Sequence, residues 1–234
     1  MTLRDTRRAE LHANLQQIWG RISRAAKAAG RDASDIQLLP VTKYHPIEDI
    51  ELLFELGIRE VGENRDQEAR QKANLLTDMS FHMIGQVQTK KANSVARWAH
   101  TVQSVDSLKL AQALNKGAGL ALETGKREGL LRCMVQMSMD GNPERGGAVE
   151  ADVEPLAEWI SEAEYLELVG LMCVLPVGDQ TFECAQRMVG KLRACYGDSL
   201  DFSAGMSQDL EQAVCAGSTI VRVGTGILGS RDLP

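Results

Sequence analysis

Several kinds of feature are missing from this chain of 234 residues, and each gap closes off a class of function. The five cysteines (Cys133, Cys173, Cys184, Cys195 and Cys215) are an odd number and contain no CxxC pair, which removes the redox-motif and zinc-ribbon readings. Cys133 and Cys173 lie inside apolar runs. All five are expected to be reduced, mostly buried thiols of a cytoplasmic protein. The four histidines, His12, His45, His82 and His100, are scattered without metal-ligand spacing, so no metal is expected. There is no excess of positive charge: 26 Lys and Arg stand against 32 Asp and Glu, a formal net charge of −6. That balance argues against nucleic acid or an anionic membrane as the partner. No apolar run approaches membrane-spanning length. Met1–Glu10, MTLRDTRRAE, lacks an apolar core, so no signal peptide is expected. No linker divides the chain, and one domain over residues 1–234 is expected.

What is present is a regular alternation. A helical pattern over Arg4–Gly30 places Leu11, Leu15, Ile18 and Ile22 on one face. It precedes QLLPVTK (Gln37–Lys43), an apolar run too short for a helix and interrupted by Pro40. Pro46 opens the next helix and Gly57 closes it. Strands are then expected at Ile58–Val61, Ser80–Ile84, Thr101–Val105, Gly129–Met137, Leu166–Val174, Leu200–Ser203 and Ser218–Val223, each preceded by a helix. The intervening helices are expected near 66–76, 89–98, 107–114, 153–163, 181–196 and 206–216, with a loose Gly-rich stretch after Leu114 and a loop over Ser138–Gly147 that is the expected mobile segment. Strict alternation implies parallel strands. Eight such units suggest an α/β fold with a single (β/α)8 TIM barrel and an extra N-terminal helix. An open doubly wound sheet is the alternative, but no GxGxxG follows the first strand.

In such a barrel the chemistry sits at the strand C-terminal ends. Those tips read Lys43, Glu63-Asn64, His82 with Gly85, Ser104 with Asp106, Gln136 with Ser138, Met172-Cys173, Ser203 with Gly205, and Arg222 with Gly224-Thr225. A lysine at a partly apolar tip loses hydration and becomes a nucleophile toward aldehydes; the bland reading is a solvated loop lysine. Ser203-Ala204-Gly205-Met206-Ser207 and Gly224-Thr225-Gly226 are Gly-rich turns after the seventh and eighth strands, the habitual phosphate position of these barrels. Read blandly, their glycines only make tight turns. Arg222, inside STIVRVG, is either a buried ion pair with Glu63 or Asp106 or a cation aimed at a bound heterocycle. A tip lysine, a phosphate site and an inward arginine together suggest pyridoxal 5′-phosphate. His82 reads first as a hydrogen-bonded core residue and Asn64 as either a cofactor contact or a helix cap. Cys173 reads as lining, with no base beside it.

The chain resembles the pyridoxal phosphate homeostasis proteins, relatives of the alanine racemase barrel. The carriers are RISRAAKAAGR, LLPVTKYHP, VGENRDQEA, FHMIGQVQTKK, VQSVDS, LVGLMCV and SAGMSQDLEQAVCAGSTIVRVGTGILG. The resemblance covers nearly the whole chain. It implies that Lys43 is the Schiff-base lysine and that Arg222 faces the pyridine nitrogen. It implies that Ser203, Gly224 and Thr225, with Gly205, Met206 and Ser207, surround the phosphate, and that Asn64, His82 and Met172 lie near the ring. Two departures are small: Tyr44-His45 stands where a small residue is usual, and SAGMS replaces the usual SMGMS.

A cation at the ring nitrogen weakens the ring as an electron sink. By resemblance, racemases of this fold take a catalytic tyrosine from a second domain, and only five residues follow Gly229 here. The expected function is therefore non-catalytic: binding pyridoxal phosphate for intracellular homeostasis and delivery, with amino acids as external aldimines and with transient contact with apoenzymes. A monomer is expected. The rivals are a pyridoxal-phosphate-dependent amino-acid racemase, for which Cys173 is the one nameable base, and a cofactor-independent Schiff-base lyase.

Overall fold

The computed structural model describes residues 2–142, 145–176 and 182–230. Eight parallel strands form one sheet: β1 (Gln37–Pro40), β2 (Glu60–Glu63), β3 (Ser80–Met83), β4 (Thr101–Val105), β5 (Leu131–Met137), β6 (Leu166–Cys173), β7 (Asp201–Ser203) and β8 (Ile220–Val223). The order β1-β8-β7-β6-β5-β4-β3-β2 runs round a barrel, and a bridge between Val41 and Gly62 closes the β1–β2 seam. Helices alternate with the strands: α1 (Leu3–Ala28), α2 (Ile47–Glu55), α3 (Asp66–Leu75), α4 (Ala92–Trp98), α5 (Leu108–Glu123), α6 (Glu150–Glu162), α7 (Glu183–Tyr196), α8 (Leu210–Cys215) and α9 (Thr225–Leu228). The expected (β/α)8 architecture with its added N-terminal helix is what forms.

Strand periodicity sorts the core into two shells. Leu39, Met134, Val169, Met172 and Ile220 fill the barrel interior, joined by Ile84 and Val174. The alternate residues, among them Leu38, Val61, Phe81, Val102, Cys133 and Phe202, face the helices.

The extra helix α1 braces the end of the chain. Asn14 donates to the Ile227 carbonyl at 2.8 Å, Arg7 to the Leu228 carbonyl at 2.9 Å, and Arg21 to the Ser207 carbonyl at 2.9 Å. Arg21 also grips the Glu211 carboxylate at 2.7 Å. The two Gly-rich turns are therefore supported from outside by the first helix.

Three elements differ from expectation. The stretch after Leu114 is not loose: α5 continues through Gly117 and Gly119 to Glu123, capped by the Ser107 hydroxyl. A Cβ at Gly117 would crowd Asn93 of α4 at 3.0 Å, and one at Gly119 would meet the Tyr165 ring at 2.8 Å. These glycines cost helix propensity and permit close packing, so the tertiary contact prevails. The helix expected from Met206 starts only at Leu210, because the Asp209 carboxylate accepts the Met206 N–H at 2.5 Å and makes a capped turn first. The short α9, opened by Gly224, was not expected. Thr181, Pro143 and Glu144, parts of an expected helix and loop, lie outside the described residues, as do the last four residues, 231–234.

Candidate functional site

Lys43 lies three residues beyond β1, half-buried, in the loop between β1 and α2. Its backbone is held on both sides. Before it, Thr42 is fully buried; its hydroxyl donates to Glu63 Oε1 at 2.6 Å and its carbonyl accepts from Lys72 Nζ at 2.8 Å. After it, the Tyr44 N–H donates to Glu68 Oε1 at 2.6 Å. Lys72 Nζ also donates to Glu63 Oε1 and Glu68 Oε1, both at 2.7 Å. Tyr44 occupies the left-handed region at φ 65°, an uncommon place for a bulky residue, and the Arg65 guanidinium lies over its ring at 4.7 Å. Burial pushes the Glu63 carboxyl up, while Lys72 opposes that shift.

The tip of β2 adds Asn64. Its Oδ1 is buried and has no hydrogen-bond partner among the described residues. Gly85, at the tip of β3, lies directly against the Asn64 backbone, where a Cβ would collide with its carbonyl. A glycine there brings the two tips together. Buried acceptors are rarely left unmade, so the Asn64 oxygen stands out among the polar atoms at the strand tips.

Arg222 points into the barrel from β8 and is 4 % exposed. Its Nη1 donates to Ser203 Oγ at 2.6 Å and its Nη2 to the Cys173 carbonyl at 2.8 Å. Neither Glu63 nor Asp106 pairs with it: Glu63 is engaged by Lys72, and among the described residues no carboxylate forms an ion pair with Arg222. Burial pulls the guanidinium below its ordinary value. The ion-pair reading of this arginine is thereby removed, and a buried cation without a carboxylate in contact remains.

The Gly-rich turns flank the mouth. Val41 N donates to the Val223 carbonyl at 2.9 Å, so the ends of β1 and β8 run side by side and bring Gly224 and Thr225 toward Lys43. Gly205, at φ 93°, lies so close to Ala213 that a Cβ would sit 2.6 Å from the alanine methyl. Met206 is exposed and Ser207 half-buried. Ser203 is placed differently from the expectation of a phosphate donor. Its side chain is fully buried, accepting from Arg222 and donating to Gln103 Oε1 at 2.7 Å. Met172 lies in the interior shell. His82 is buried beneath Ile84, between Gln103 and Glu60.

Cys173 faces the helices, not the interior, and burial pushes its thiol to about 12. It contributes a carbonyl to Arg222 and no base. Among the described residues no group of three His, Cys, Asp or Glu is placed to hold a metal, and no helix is long and apolar enough to cross a membrane. A groove of about 440 Å³ lined by Phe54, Leu75, Leu76 and Met79 lies at the opposite end from the strand tips.

Residues 13–232 match the family model described as alanine racemase, N-terminal domain. The chain is 52% identical over 217 residues to the pyridoxal phosphate homeostasis protein of Corynebacterium glutamicum, covering 91% of this chain and 98% of that one. The chain belongs to the pyridoxal phosphate homeostasis protein family. The homeostasis protein of Escherichia coli K12 is 34% identical over 233 residues, covering 94% and 96%. Among solved structures, PipY of Synechococcus elongatus PCC7942 with pyridoxal phosphate bound is 30% identical with a TM-score of 0.71, covering 89% of this chain and all of that one. An alanine racemase of Clostridium difficile 630, 17% identical with a TM-score of 0.71, shares the fold over 96% of this chain and 60% of its own.

Within this family frame, Lys72, Glu68, Gln103 and Glu60 are the site-supporting residues that the strand-tip reading left out. Glu60 and Gln103 lie on interior positions of their strands, and a polar residue at an interior position of an apolar strand is the signal that could have found them.

Proposed function

We propose that this protein binds pyridoxal 5′-phosphate at the strand tips, attached through Lys43, and holds it for intracellular delivery without robust catalysis. The observation that carries the reading is the pairing of a clamped tip lysine with a buried, carboxylate-free guanidinium in the same barrel. The PipY structure with the cofactor and the names of the curated relatives support it. The residues present fit the group: an unpartnered buried acceptor at Asn64, a cation at Arg222 and two Gly-rich turns with hydroxyls are the complement of a phenolic pyridine bearing a phosphate.

Pyridoxal phosphate supplies an aldehyde that takes up primary amines and a ring that draws electrons from the adjoining bonds. Lys43 would hold the aldehyde carbon. Asn64 would meet the ring substituents, with His82 and Met172 beneath the ring. Gly205, Met206, Ser207, Gly224 and Thr225 would enclose the phosphate with backbone N–H groups and hydroxyls. Arg222, which can only donate hydrogen bonds, would face the ring nitrogen and keep it unprotonated, which blunts the ring's electron demand. Ser203 would act through Arg222 rather than on the phosphate. The racemase reading has less support, because Cys173, its named base, is turned into the outer core.

The test is the visible spectrum of the purified protein with added pyridoxal phosphate, followed by borohydride reduction and peptide mapping. The expected outcome is a yellow protein with the reduced label on Lys43. A label on Lys90 or Lys91, or no spectral change, overturns the assignment. A protein that reacts with an aldehyde substrate while remaining colourless promotes the cofactor-independent lyase.

A further inference from the structure

Arg222 is the first member of a hydrogen-bonded chain that crosses the barrel interior. Its Nη1 donates to Ser203 Oγ at 2.6 Å, Ser203 Oγ lies 2.7 Å from Gln103 Oε1, Gln103 Nε2 lies 3.0 Å from His82 Nδ1, and His82 Nε2 lies 2.6 Å from Glu60 Oε2. The links come from five different strands, β8, β7, β4, β3 and β2. Ser203, Gln103, His82 and Arg222 are all buried.

The sense of this chain is dictated from one end. A guanidinium has donors and no acceptor, so Ser203 Oγ accepts. The serine proton is then left for Gln103, whose amide must present its oxygen. The amide NH₂ consequently faces His82, Nδ1 becomes the acceptor, and the imidazole proton sits on Nε2 against the Glu60 carboxylate. If the Gln103 amide turned over, two donors would face Ser203 Oγ and the serine proton would be buried without an acceptor, which is costly. The chain is fully satisfied in one sense only.

We propose that Gln103 is a positioning residue for Arg222: through Ser203 it fixes the guanidinium at the foot of the cofactor site, and its own amide is held the right way round by His82, whose ring is anchored on Glu60 at the far end of the relay. A direct ion pair would occupy donors that the guanidinium needs for a bound heterocycle, whereas a relay of neutral groups holds it in place and leaves its charge unspent. The cofactor arm of this inference rests on the function proposed above; the relay itself does not.

The test begins with the ligand-free full-length protein, by nitrogen-15 correlation spectra of the histidine rings near neutral pH. The wild type is expected to show His82 with Nδ1 unprotonated and Nε2 protonated. Ser203→Ala cuts the link between Arg222 and the amide, frees the amide to turn over, and should blur that single tautomer. Gln103→Glu, nearly isosteric, accepts from Ser203 but cannot donate to His82; both ring nitrogens should then carry protons. Pyridoxal phosphate is added next. Gln103→Leu should weaken its binding by about tenfold or more and shift its absorption band, and Gln103→Glu should weaken it less. A protonated Nδ1 in the wild type, or a tautomer unmoved by both Ser203→Ala and Gln103→Glu, overturns the relay. Unaltered affinity and spectrum in Gln103→Leu overturn the positioning role. Failure of the wild type to take the cofactor refutes the proposed function and with it the cofactor arm, while the tautomer measurement still decides the relay.

Discussion

Lys72 Nζ lies 2.8 Å from the carbonyl oxygen of Thr42, the residue immediately before Lys43. The same ammonium is 2.7 Å from Glu68 Oε1, which in turn accepts the N–H of the residue immediately after Lys43. One buried cation from α3 therefore holds the carbonyl before the tip lysine directly and, through Glu68, the N–H after it, at the residue that adopts the left-handed conformation. Such strain persists only where neighbouring contacts over-determine it.

Removing that cation should be expensive. Lys72→Met leaves the buried Glu63 and its Thr42 contact without a counter-charge. A loss of about 3–5 kcal/mol in urea unfolding is expected, the usual cost of breaking a buried pair from one side. Adding Glu63→Gln should restore much of the stability without restoring the labelling rate at Lys43, because the backbone clamp is still missing. A loss under about 1 kcal/mol for the single variant is what an exposed pair would give, and would show that the buried network does not form in solution.

The two Gly-rich turns should separate by function. Thr225 opens α9 beside the end of β1, while the Ser203 hydroxyl is committed to Arg222 and Gln103. Thr225→Ala should weaken pyridoxal phosphate by about tenfold, one hydrogen bond to a charged group, and leave pyridoxal nearly unchanged. Ser203→Ala should weaken both ligands alike, since it disturbs the cation and not the phosphate. Direct binding titrations with the two ligands check this, and a loss confined to the phosphate ester in Ser203→Ala would return that serine to the phosphate site.

How much of this was legible beforehand follows from where each residue sits. Lys43, Asn64 and Arg222 are polar groups at or near the ends of apolar strands, so the barrel topology alone gathers them. Lys72 lies within a polar helix, where its burial leaves no trace in the pattern. Gln103 sits inside TVQSV, every residue of which is buried; its polar side chain within that strand is the signal, and a reading confined to the strand tips passes over it. Ser203 was legible in position but not in partner: its loop pointed to phosphate, and only the three-dimensional register with β8 shows that Arg222 takes its hydroxyl. Gly117 and Gly119 read as a helix end because propensity is local, whereas their contacts with Asn93 and Tyr165 are not.

Chemistry at a bound amino acid should be slight. Proton exchange at its α-carbon needs an electron-withdrawing ring and a base. Arg222 would blunt the first, and Cys173, with its thiol near 12 and turned to the helices, does not supply the second. L- and D-alanine are expected to perturb the cofactor spectrum without turnover. Incubation in heavy water measures this; deuterium uptake or racemisation on the order of 1 per second or faster is an ordinary enzymatic rate and would establish the racemase instead. Arg222→Glu should raise any trace exchange, because a carboxylate favours the protonated ring.

Acid stability should report on the far end of the relay. The hydrogen bond from His82, opposed by partial burial, holds the Glu60 carboxyl at about 2 against an ordinary 4.5. A group with a lowered folded value stabilises the fold above its ordinary value, and that stabilisation is lost as the pH falls through the folded one. The fold should therefore lose stability between about 4.5 and about 2 as Glu60 takes up its proton. Glu60→Gln keeps an acceptor for His82 Nε2 but cannot titrate, so its unfolding free energy should be flatter across that window. Glu63 has the opposite sign, since burial raises it; its protonation on acidification favours the fold and partly offsets the Glu60 loss. Glu63→Gln should consequently steepen the acid limb. Urea unfolding at a series of acid pH values distinguishes the three proteins, and an unchanged slope in Glu60→Gln would mean that His82 does not engage this carboxylate.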